Sequence, residues 1–423
     1  MRHVLHAVGA MLVLVAVGGL TARGDEAPKP LPVPGTFGYD LAFLQKHTDA
    51  FALGKGDAQV LVVPAYQARV MSSTIGGAGG PSFGWLNYKV IEEGILPPAA
   101  RQGKLQDHIF VFGGEERFWI GPEGGQFGLY FPPGAPFDFA HWHTPAPIDT
   151  EPYTVVKKTD TTVEFHKDAT FVNYTGTTFK VGIDRTIRLL DAAEAGEAFG
   201  IKLTPDVKAV AYETDNRLTN KGDKPWSKDS GLLSIWLLGM YNPTPSTTIV
   251  IPFKAGDEAK LGPKVNDAYF GKVPPDYLVL KDNVLFFRGD GTRRGKIGIS
   301  PARSLGLAGS YDAAGKVLTL VSCSKPDPRE GYVNSMWEIQ KAPFAGDALN
   351  SYNDGSAEPG KPPMGPFYEL ETSSPAAALR PGTTTRHIQH TMHLTGPQAT
   401  LDAIARAKLG VGLDEITAAF GKK

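Results

Sequence analysis

Cysteine is nearly absent from this sequence, since Cys323 is the only one among 423 residues. A chain with one cysteine forms no internal disulfide, so its fold depends on a hydrophobic core even in a compartment that allows disulfides. The surrounding letters, "LVSCSK", are typical of a buried strand. An activated thiol needs a cation or a helix N-terminus beside it, and the sequence indicates neither.

An excess of either charge is also missing. The chain has 43 Lys and Arg against 44 Asp and Glu, a net charge of −1; loss of Arg2 and Arg23 with a leader would make it −1 − 2 = −3. Nucleic-acid-binding domains usually carry a basic surface, so we predict no nucleic-acid partner.

Long apolar runs are missing after the first residues. The run at 8–20 follows a basic start and precedes the small residues Ala22 and Gly24. It is shorter than the roughly 20 residues that span a bilayer. We therefore predict a signal peptide over 1–24 and a Pro-rich linker over 25–35. The mature protein is expected to be secreted or periplasmic, with no membrane span; a membrane anchor is the alternative.

Nucleotide-binding and zinc-protease motifs are missing as well: no GxGxxG, Walker or HExxH pattern occurs. Glycine and proline are abundant, with 49 and 34 residues, and they punctuate short runs rich in Val, Ile, Phe and Thr. Such runs predict strands, for example "FKVGIDRTIRLLD", "TTIVIPF", "KVLTLVSCS", "GKIGIS" and "DHIFVFGG". We predict an all-β fold with one main domain over 36–396.

Helical patterns are confined to the two ends of the chain. The stretch "FGYDLAFLQKH" predicts a short helix before the first strands. Residues 397–423 begin with a proline and place Leu401, Ile404 and Ala405 at helical spacing. We predict a C-terminal tail of two short helices packed on the β-sandwich.

Two glutamates interrupt an otherwise strand-like segment, "GPFYELETSSPAA". Strand alternation places Phe367, Glu369 and Glu371 on one face, with Tyr368 and Leu370 on the other. An acidic face is either exposed to solvent or part of a site. Polar groups on neighbouring segments favour a site; they are Asn353 and Asp354 in "SYNDG", and His387 and His393, which share a strand face in "RHIQHTMHL".

Two further segments offer candidate site residues. In "FAHWHTPAP", His141 and His143 would point the same way from a strand, which suits a proton-transfer pair or metal ligation. We expect no cofactor; a divalent metal at these histidines is the alternative to a hydrogen-bonded structural pair, and zinc would need a third ligand. In "FGGEERFWIGPEGG", Arg117 and Trp119 share a strand face and Glu123 follows. An aromatic ring beside a guanidinium and a carboxylate suits sugars.

A resemblance to a known family follows from several of these segments: "GGEERFWIGPEGG", "IDRTIRLL", "TDNRLTNKGDKPW", "YNDG" and "GPFYELETSSPAAALRPGTTTRH". Over residues 35–396 the chain resembles the galactose mutarotase-like superfamily, in particular its uncharacterised exported bacterial branch of domains of unknown function. The resemblance implies an antiparallel β-supersandwich that binds carbohydrate on a concave face.

The resemblance also implies roles for particular residues. In aldose 1-epimerases a late glutamate is the base on the anomeric hydroxyl, and Glu369 or Glu371 matches it by position. A mid-chain histidine protonates the ring oxygen, but this chain reads "KGDKPWSKDSGLL" where the epimerases have it. His141 or His143 would then have to supply the acid.

We therefore expect an exported carbohydrate-active protein whose partner is a mono- or oligosaccharide. Epimerase, lyase and glycosidase chemistry all remain open, the last with two carboxylates such as Glu123 and Glu371. A non-catalytic periplasmic carbohydrate-binding protein is the alternative, and a scaffold with a blocked concave face is a third. The candidate catalytic residues are Glu371, Glu369, His141 and His143. The candidate substrate-binding residues are Arg117, Trp119, Glu123, Asn353, Asp354, His387 and His393.

Overall fold

Strands dominate the computed structural model, which describes residues 33–96, 98–101, 112–356, 360 and 362–421. The predicted signal peptide, most of the predicted linker and most of "DHIFVFGG" lie outside these residues. Within the described part of the chain the strands form three sheets, and all strand pairs are antiparallel. The predicted all-β antiparallel fold is confirmed.

A small sheet of three strands begins the fold. Its strands pair in chain order: β1 (Phe51–Leu53), β2 (Gln59–Val63) and β3 (Arg69–Thr74).

The largest sheet has ten strands, which form the long layer of the sandwich. Two of its central strands, twelve and thirteen residues long, pair over twelve residues. In spatial order the strands are β11 (Leu278–Lys281), β12 (Val284–Arg288), β10 (Thr247–Pro252), β14 (Leu307–Asp312), β15 (Val317–Cys323), β18 (Thr384–Thr395), β8 (Lys208–Asn220), β7 (Thr178–Leu190), β6 (Thr162–Val172) and β5 (Thr154–Lys158).

The third sheet has five strands and carries the candidate site. In spatial order they are β13 (Gly295–Ile299), β16 (Leu349–Asn353), β17 (Tyr368–Ser373), β9 (Ser234–Tyr241) and β4 (Arg117–Gly121).

One face of the five-stranded sheet packs on the ten-stranded sheet. Tyr368 and Leu370 of β17 share a buried cluster with Ile249 of β10 and Val321 of β15. Because successive strand residues point to opposite faces, Glu369 and Glu371 of β17 project away from the ten-stranded sheet. We call this second side of the five-stranded sheet the outer face.

The helices are short and lie around the sheets. The predicted N-terminal helix is present as α1, and the two predicted C-terminal helices are present as α5 and α6, which contact β10 and β14. Their bounds are α1 (Phe37–His47), α2 (Tyr88–Glu93), α3 (Ala192–Phe199), α4 (Glu258–Leu261), α5 (Gln398–Leu409) and α6 (Leu413–Ala418).

A layer of polar side chains is buried between the two larger sheets. Arg185 of β7 donates to Glu116 over 2.8 Å and to Asn216 of β8 over 2.5 Å, and Gln389 of β18 donates to the other Glu116 oxygen over 2.7 Å. Both members of the Arg185–Glu116 pair are fully buried. Buried charges are stable only when they are paired and hydrogen-bonded, and this layer meets that condition.

Candidate functional site

A cavity of about 480 Å³ opens on the outer face of the five-stranded sheet. Strands β4, β9, β16, β17 and the start of β13 form its floor, and loop residues form its walls. Its lining is mostly apolar with a few convergent polar groups, which is typical of small-molecule sites. Its lining residues are Arg117, Trp119, Glu123, Phe139, Trp142, Trp236, Leu238, Met240, Phe270, Arg294, Lys296, Trp337, Tyr352, Met364, Phe367 and Glu369.

Strand alternation produces the acidic part of the floor. Glu369 and Glu371 project to the outer face, and Phe367, just before β17, lines the same cavity. Tyr368, on the opposite face, lies 2.8 Å from Ser310 of β14 through its hydroxyl. The predicted division of this segment into two faces is therefore what the structure shows.

Glu369 is paired with Arg117 across two strands. An Nη2 hydrogen of Arg117 is donated to Oε1 of Glu369, and both side chains are almost completely buried. The Arg117 guanidinium also lies over the ring of Trp119, 4.6 Å from the ring centre. This contact follows from the spacing of two residues in β4, which places both side chains on one face.

Glu371 lies deeper and is held by two donors. Nζ of Lys296 and Nε1 of Trp236 each lie 3.0 Å from its Oε2, and Glu371 is completely buried. Its other oxygen, Oε1, has no hydrogen-bond partner. Lys296 also lies 4.8 Å from the ring centre of Trp236. Glu371 therefore supports Lys296 and Trp236 from beneath the cavity.

Glu123 faces the same cavity from the loop after β4. Its Oε1 accepts a hydrogen bond of 2.7 Å from the indole of Trp142. Burial raises the pKa of Glu123, and Lys296 and the Trp142 indole oppose this rise. The neutral form of a buried carboxylic acid can donate a proton as well as accept a hydrogen bond.

Glu369 has the most informative pKa in the cavity. Burial raises the pKa of Glu369 from 4.5 to about 8; Arg117 and Lys296 oppose the rise, while Glu371 and Asp354 add to it. For Lys296, burial lowers the pKa, but the carboxylates of Glu371, Glu123 and Glu369 outweigh burial and hold it above the usual value. The cavity thus contains an ammonium group and a carboxyl group whose proton is exchangeable near neutral pH.

Family comparison locates the chain among known proteins. A model of a family of unknown function, DUF6786, matches residues 35–420. The chain belongs to family DUF6786. No curated protein matches it.

Solved structures that this DUF6786 chain is similar to include two galactose mutarotase-like proteins. That of Lactobacillus casei ATCC 334 is 11% identical, with 82% of this chain and 100% of that chain covered and a TM-score of 0.45. That of Clostridium acetobutylicum is 12% identical, with 82% and 95% covered and a TM-score of 0.45. The predicted domain of unknown function is confirmed by the family match, and the similarity to these solved structures is one of fold.

The histidines expected at the site lie elsewhere. His141 and His143 are not in a strand. His141 ends a single 3₁₀ turn that Asp138 caps by accepting from the backbone N–H of His141, and the Nδ1 atom of His141 lies 2.6 Å from the same carboxylate. The intervening Trp142, rather than either histidine, lines the cavity. The prediction that both rings point the same way from a strand is wrong, because Asp138 and the following prolines favour a turn.

His387 and His393 lie on β18 of the ten-stranded sheet and point toward the five-stranded sheet. His393 lies 2.9 Å from Glu115 and 2.8 Å from Thr319, and His387 lies 2.9 Å from Thr372. Burial lowers the pKa of His387 to about 4. Neither ring lines the cavity, so the structure separates both histidines from Glu369 and from the outer face.

Asn353 and Asp354 support the cavity from its rim. Asn353 accepts from the backbone of Gly291 over 2.8 Å and donates to the carbonyl of Arg293 over 3.0 Å. Asp354 accepts from the Tyr352 hydroxyl over 3.2 Å and from the backbone of Gly365 over 2.7 Å. Both side chains hold the loops that form the cavity rather than line it.

Several lining residues were not identified from the sequence. Lys296, in the predicted strand "GKIGIS", gives no signal because a single lysine in a short strand usually faces solvent. Arg294 lies just before this strand and has no motif around it. Trp142 lies between the two histidines that were singled out instead.

The described residues contain no cluster of three or more His, Cys, Asp or Glu side chains that could hold a metal ion, at His141 and His143 or elsewhere. Among the helices of the described ranges, none has both the length and the apolar character needed to cross a bilayer.

Proposed function

We propose that the protein is an exported enzyme that binds a sugar in the outer-face cavity and uses Glu369 as its acid–base group. The observation that carries this proposal is the position of Glu369: a buried carboxyl group with a pKa raised to about 8, facing a cavity lined by four tryptophans. Strongly shifted titratable groups in clefts are candidates for catalysis.

The lining supports a sugar as the ligand. Trp119, Trp142, Trp236 and Trp337 present indole rings to one space, and charged groups lie between them. Aromatic faces stack on the C–H surface of a pyranose, and carboxylates and guanidinium groups hydrogen-bond its hydroxyls. This combination fits an amphipathic ring better than it fits a purely apolar ligand.

A second group for acid–base chemistry is available at Glu123. In this proposal a pair of glutamates takes the place of the expected Glu and His pair, because no histidine of the described residues lines the cavity. In hemiacetal opening, ionised Glu369 would take the proton of the anomeric hydroxyl. The C1–O5 bond would break as a C1 carbonyl forms, and the carboxyl of Glu123, when protonated, would give its proton to O5. Reclosure on the other face returns both protons and yields the opposite anomer.

One observation favours a non-catalytic sugar-binding protein as the second candidate. Arg117 contacts Glu369 directly, and Lys296 contacts Glu371. Carboxylates fixed in this way can serve as stationary hydrogen-bond acceptors for sugar hydroxyls without transferring a proton.

Export is part of the proposal and rests on the first 24 residues of the sequence. If the protein is made in full in a bacterial host, we expect the periplasmic fraction to contain a form that starts close to Asp25. Mass spectrometry of the intact protein measures this directly. Recovery of only the uncleaved chain from the cytoplasm would contradict export.

Anomer exchange distinguishes the two candidate functions. We would follow a panel of aldoses, uronates and oligosaccharides by proton NMR with the wild type, Glu369→Gln, Glu123→Gln and the exposed-site control Glu197→Gln. We expect anomer exchange by the wild type and the control, and a loss of about a hundredfold or more in the Glu369 variant. Binding without turnover would support the second candidate, and no binding of any sugar would overturn both.

A further inference from the structure

Three cationic side chains of the described residues line the cavity, and one of them has no carboxylate partner. Arg117 is paired with Glu369 and Lys296 with Glu371. Arg294 forms no ion pair with a described carboxylate, and its Nε is buried without a hydrogen-bond partner. A partly buried guanidinium usually has a partner, because removing its hydration is costly.

The surroundings of Arg294 hold the guanidinium in place without forming an ion pair with it. It lies 3.7 Å from the ring centre of Phe270, and this ring covers one face of the group. Asp354, which Arg294 influences electrostatically, already accepts hydrogen bonds from Tyr352 and Gly365. The Arg294 side chain is half-buried and is one of the walls of the cavity.

The rest of the lining does not supply the missing negative charge. The Oε1 atom of Glu123 accepts from the Trp142 indole, and Glu123 forms no ion pair with Arg294. Glu371 is beneath Lys296 and does not line the open space. The positive charge of Arg294 is therefore available to a bound molecule.

We propose that Arg294 binds a carboxylate of the sugar, so that the ligands of this cavity are uronic acids or acidic oligosaccharides. The proposal rests on the proposed function, since it assumes that the cavity takes a sugar. An Arg–carboxylate contact is planar and often bidentate, and it needs a guanidinium that is already oriented. Stacking on Phe270 provides this orientation.

A carboxylate fits this site better than a phosphate does. A phosphate ester carries nearly two negative charges at neutral pH. Arg294 is the one cation of the described lining that lacks an ion pair, so a singly charged carboxylate matches it one to one. A second negative charge would be without a partner there.

Matched titrations test the proposal on the mature protein. Isothermal titration calorimetry would compare glucuronate, galacturonate and digalacturonate with glucose, galactose and lactose, and glucose 6-phosphate would form a separate arm. The variants are Arg294→Gln and Arg293→Gln; Arg293 is the exposed neighbour outside the cavity and serves as the matched control.

We expect the acidic sugars to bind at least tenfold more tightly than the neutral ones, with this preference lost in Arg294→Gln and kept in Arg293→Gln. The affinity for acidic sugars should also fall as salt is added. Neutral sugars that bind as well as the uronates, or a preference that survives Arg294→Gln, would overturn the inference and leave the proposed function intact. Tighter binding of glucose 6-phosphate than of the uronates would show that Arg294 prefers a phosphate to a carboxylate, and it would overturn the inference. Failure of every sugar to bind would overturn the proposed function itself.

Discussion

The raised pKa of Glu369 makes a prediction about stability that requires no substrate. Between pH 4.5, where an unfolded glutamate titrates, and about pH 8, the folded protein keeps a proton that the unfolded chain has lost. The folded state therefore binds more protons in this window, and its stability falls as the pH rises through it. Glu369→Gln is neutral at every pH, so this contribution is absent from the variant.

The size of the effect follows from the two pKa values. The interval from 4.5 to about 8, at about 1.4 kcal/mol for each pH unit, corresponds to about 5 kcal/mol. Direct contact with Arg117 opposes the rise, so we regard this as an upper value. Near pH 4.5 the wild type and Glu369→Gln should have similar free energies of unfolding. Toward pH 8 the variant should become the more stable protein by a few kcal/mol.

Urea unfolding followed by circular dichroism measures this difference at a series of pH values. Glu197→Gln removes an exposed glutamate and should follow the wild type throughout. If the difference between wild type and Glu369→Gln does not change with pH, Glu369 titrates as an ordinary carboxyl group. If the wild type instead gains stability relative to the variant as pH rises, the Arg117 contact dominates and the acid–base role loses its physical basis.

Three further predictions concern groups described above. Lys296→Met leaves Glu371 buried without its cation and should lower the free energy of unfolding by about 3–5 kcal/mol in the same urea assay. The double variant Lys296→Met, Glu371→Gln should recover part of this loss. His387 stays neutral when folded, with a pKa lowered by burial to about 4. The folded state therefore loses stability as pH falls from about 6.5 to about 4, by up to about 3 kcal/mol. His387→Gln should lose less stability than the wild type over this pH range. An equal loss in both proteins would contradict this. Burial also raises the pKa of the Cys323 thiol to about 12. A thiol-reactive disulfide reagent should therefore react slowly with the native protein, and one equivalent of its leaving thiol should be released after unfolding. Fast reaction of the native protein would show an accessible thiolate and contradict this.

The sequence predicts the strands and their alternation better than it predicts which face becomes a site. Glu369 and Glu371 were placed on one face from the two-residue period alone, and Arg117 and Trp119 likewise. The alternation of side chains along a strand does not show, however, whether a given face is covered by another sheet or lines a cavity. His387 and His393 also share a polar face, but that face meets Glu115 and Thr372 in the interior.

Residues whose role depends on distant loops could not be identified in advance. Lys296 would be exposed in an isolated strand, and its burial depends on loops that are far away in sequence. The opposite error occurred at His141 and His143. There the side-chain spacing suggested a strand, but the capping carboxylate of Asp138 and nearby prolines produced a turn.

The concentration of tryptophan in one cavity has an optical consequence. Four of the six tryptophans line this space, and the ring centres of Trp119 lie 5.5 Å from Trp236 and 6.0 Å from Trp142. Because four of the six indoles lie here, the tryptophan emission of the protein is sensitive to what enters the cavity. A ligand that enters it should change the intensity or colour of that emission without any label. The molecule therefore contains its own fluorescent reporter of ligand binding in this cavity.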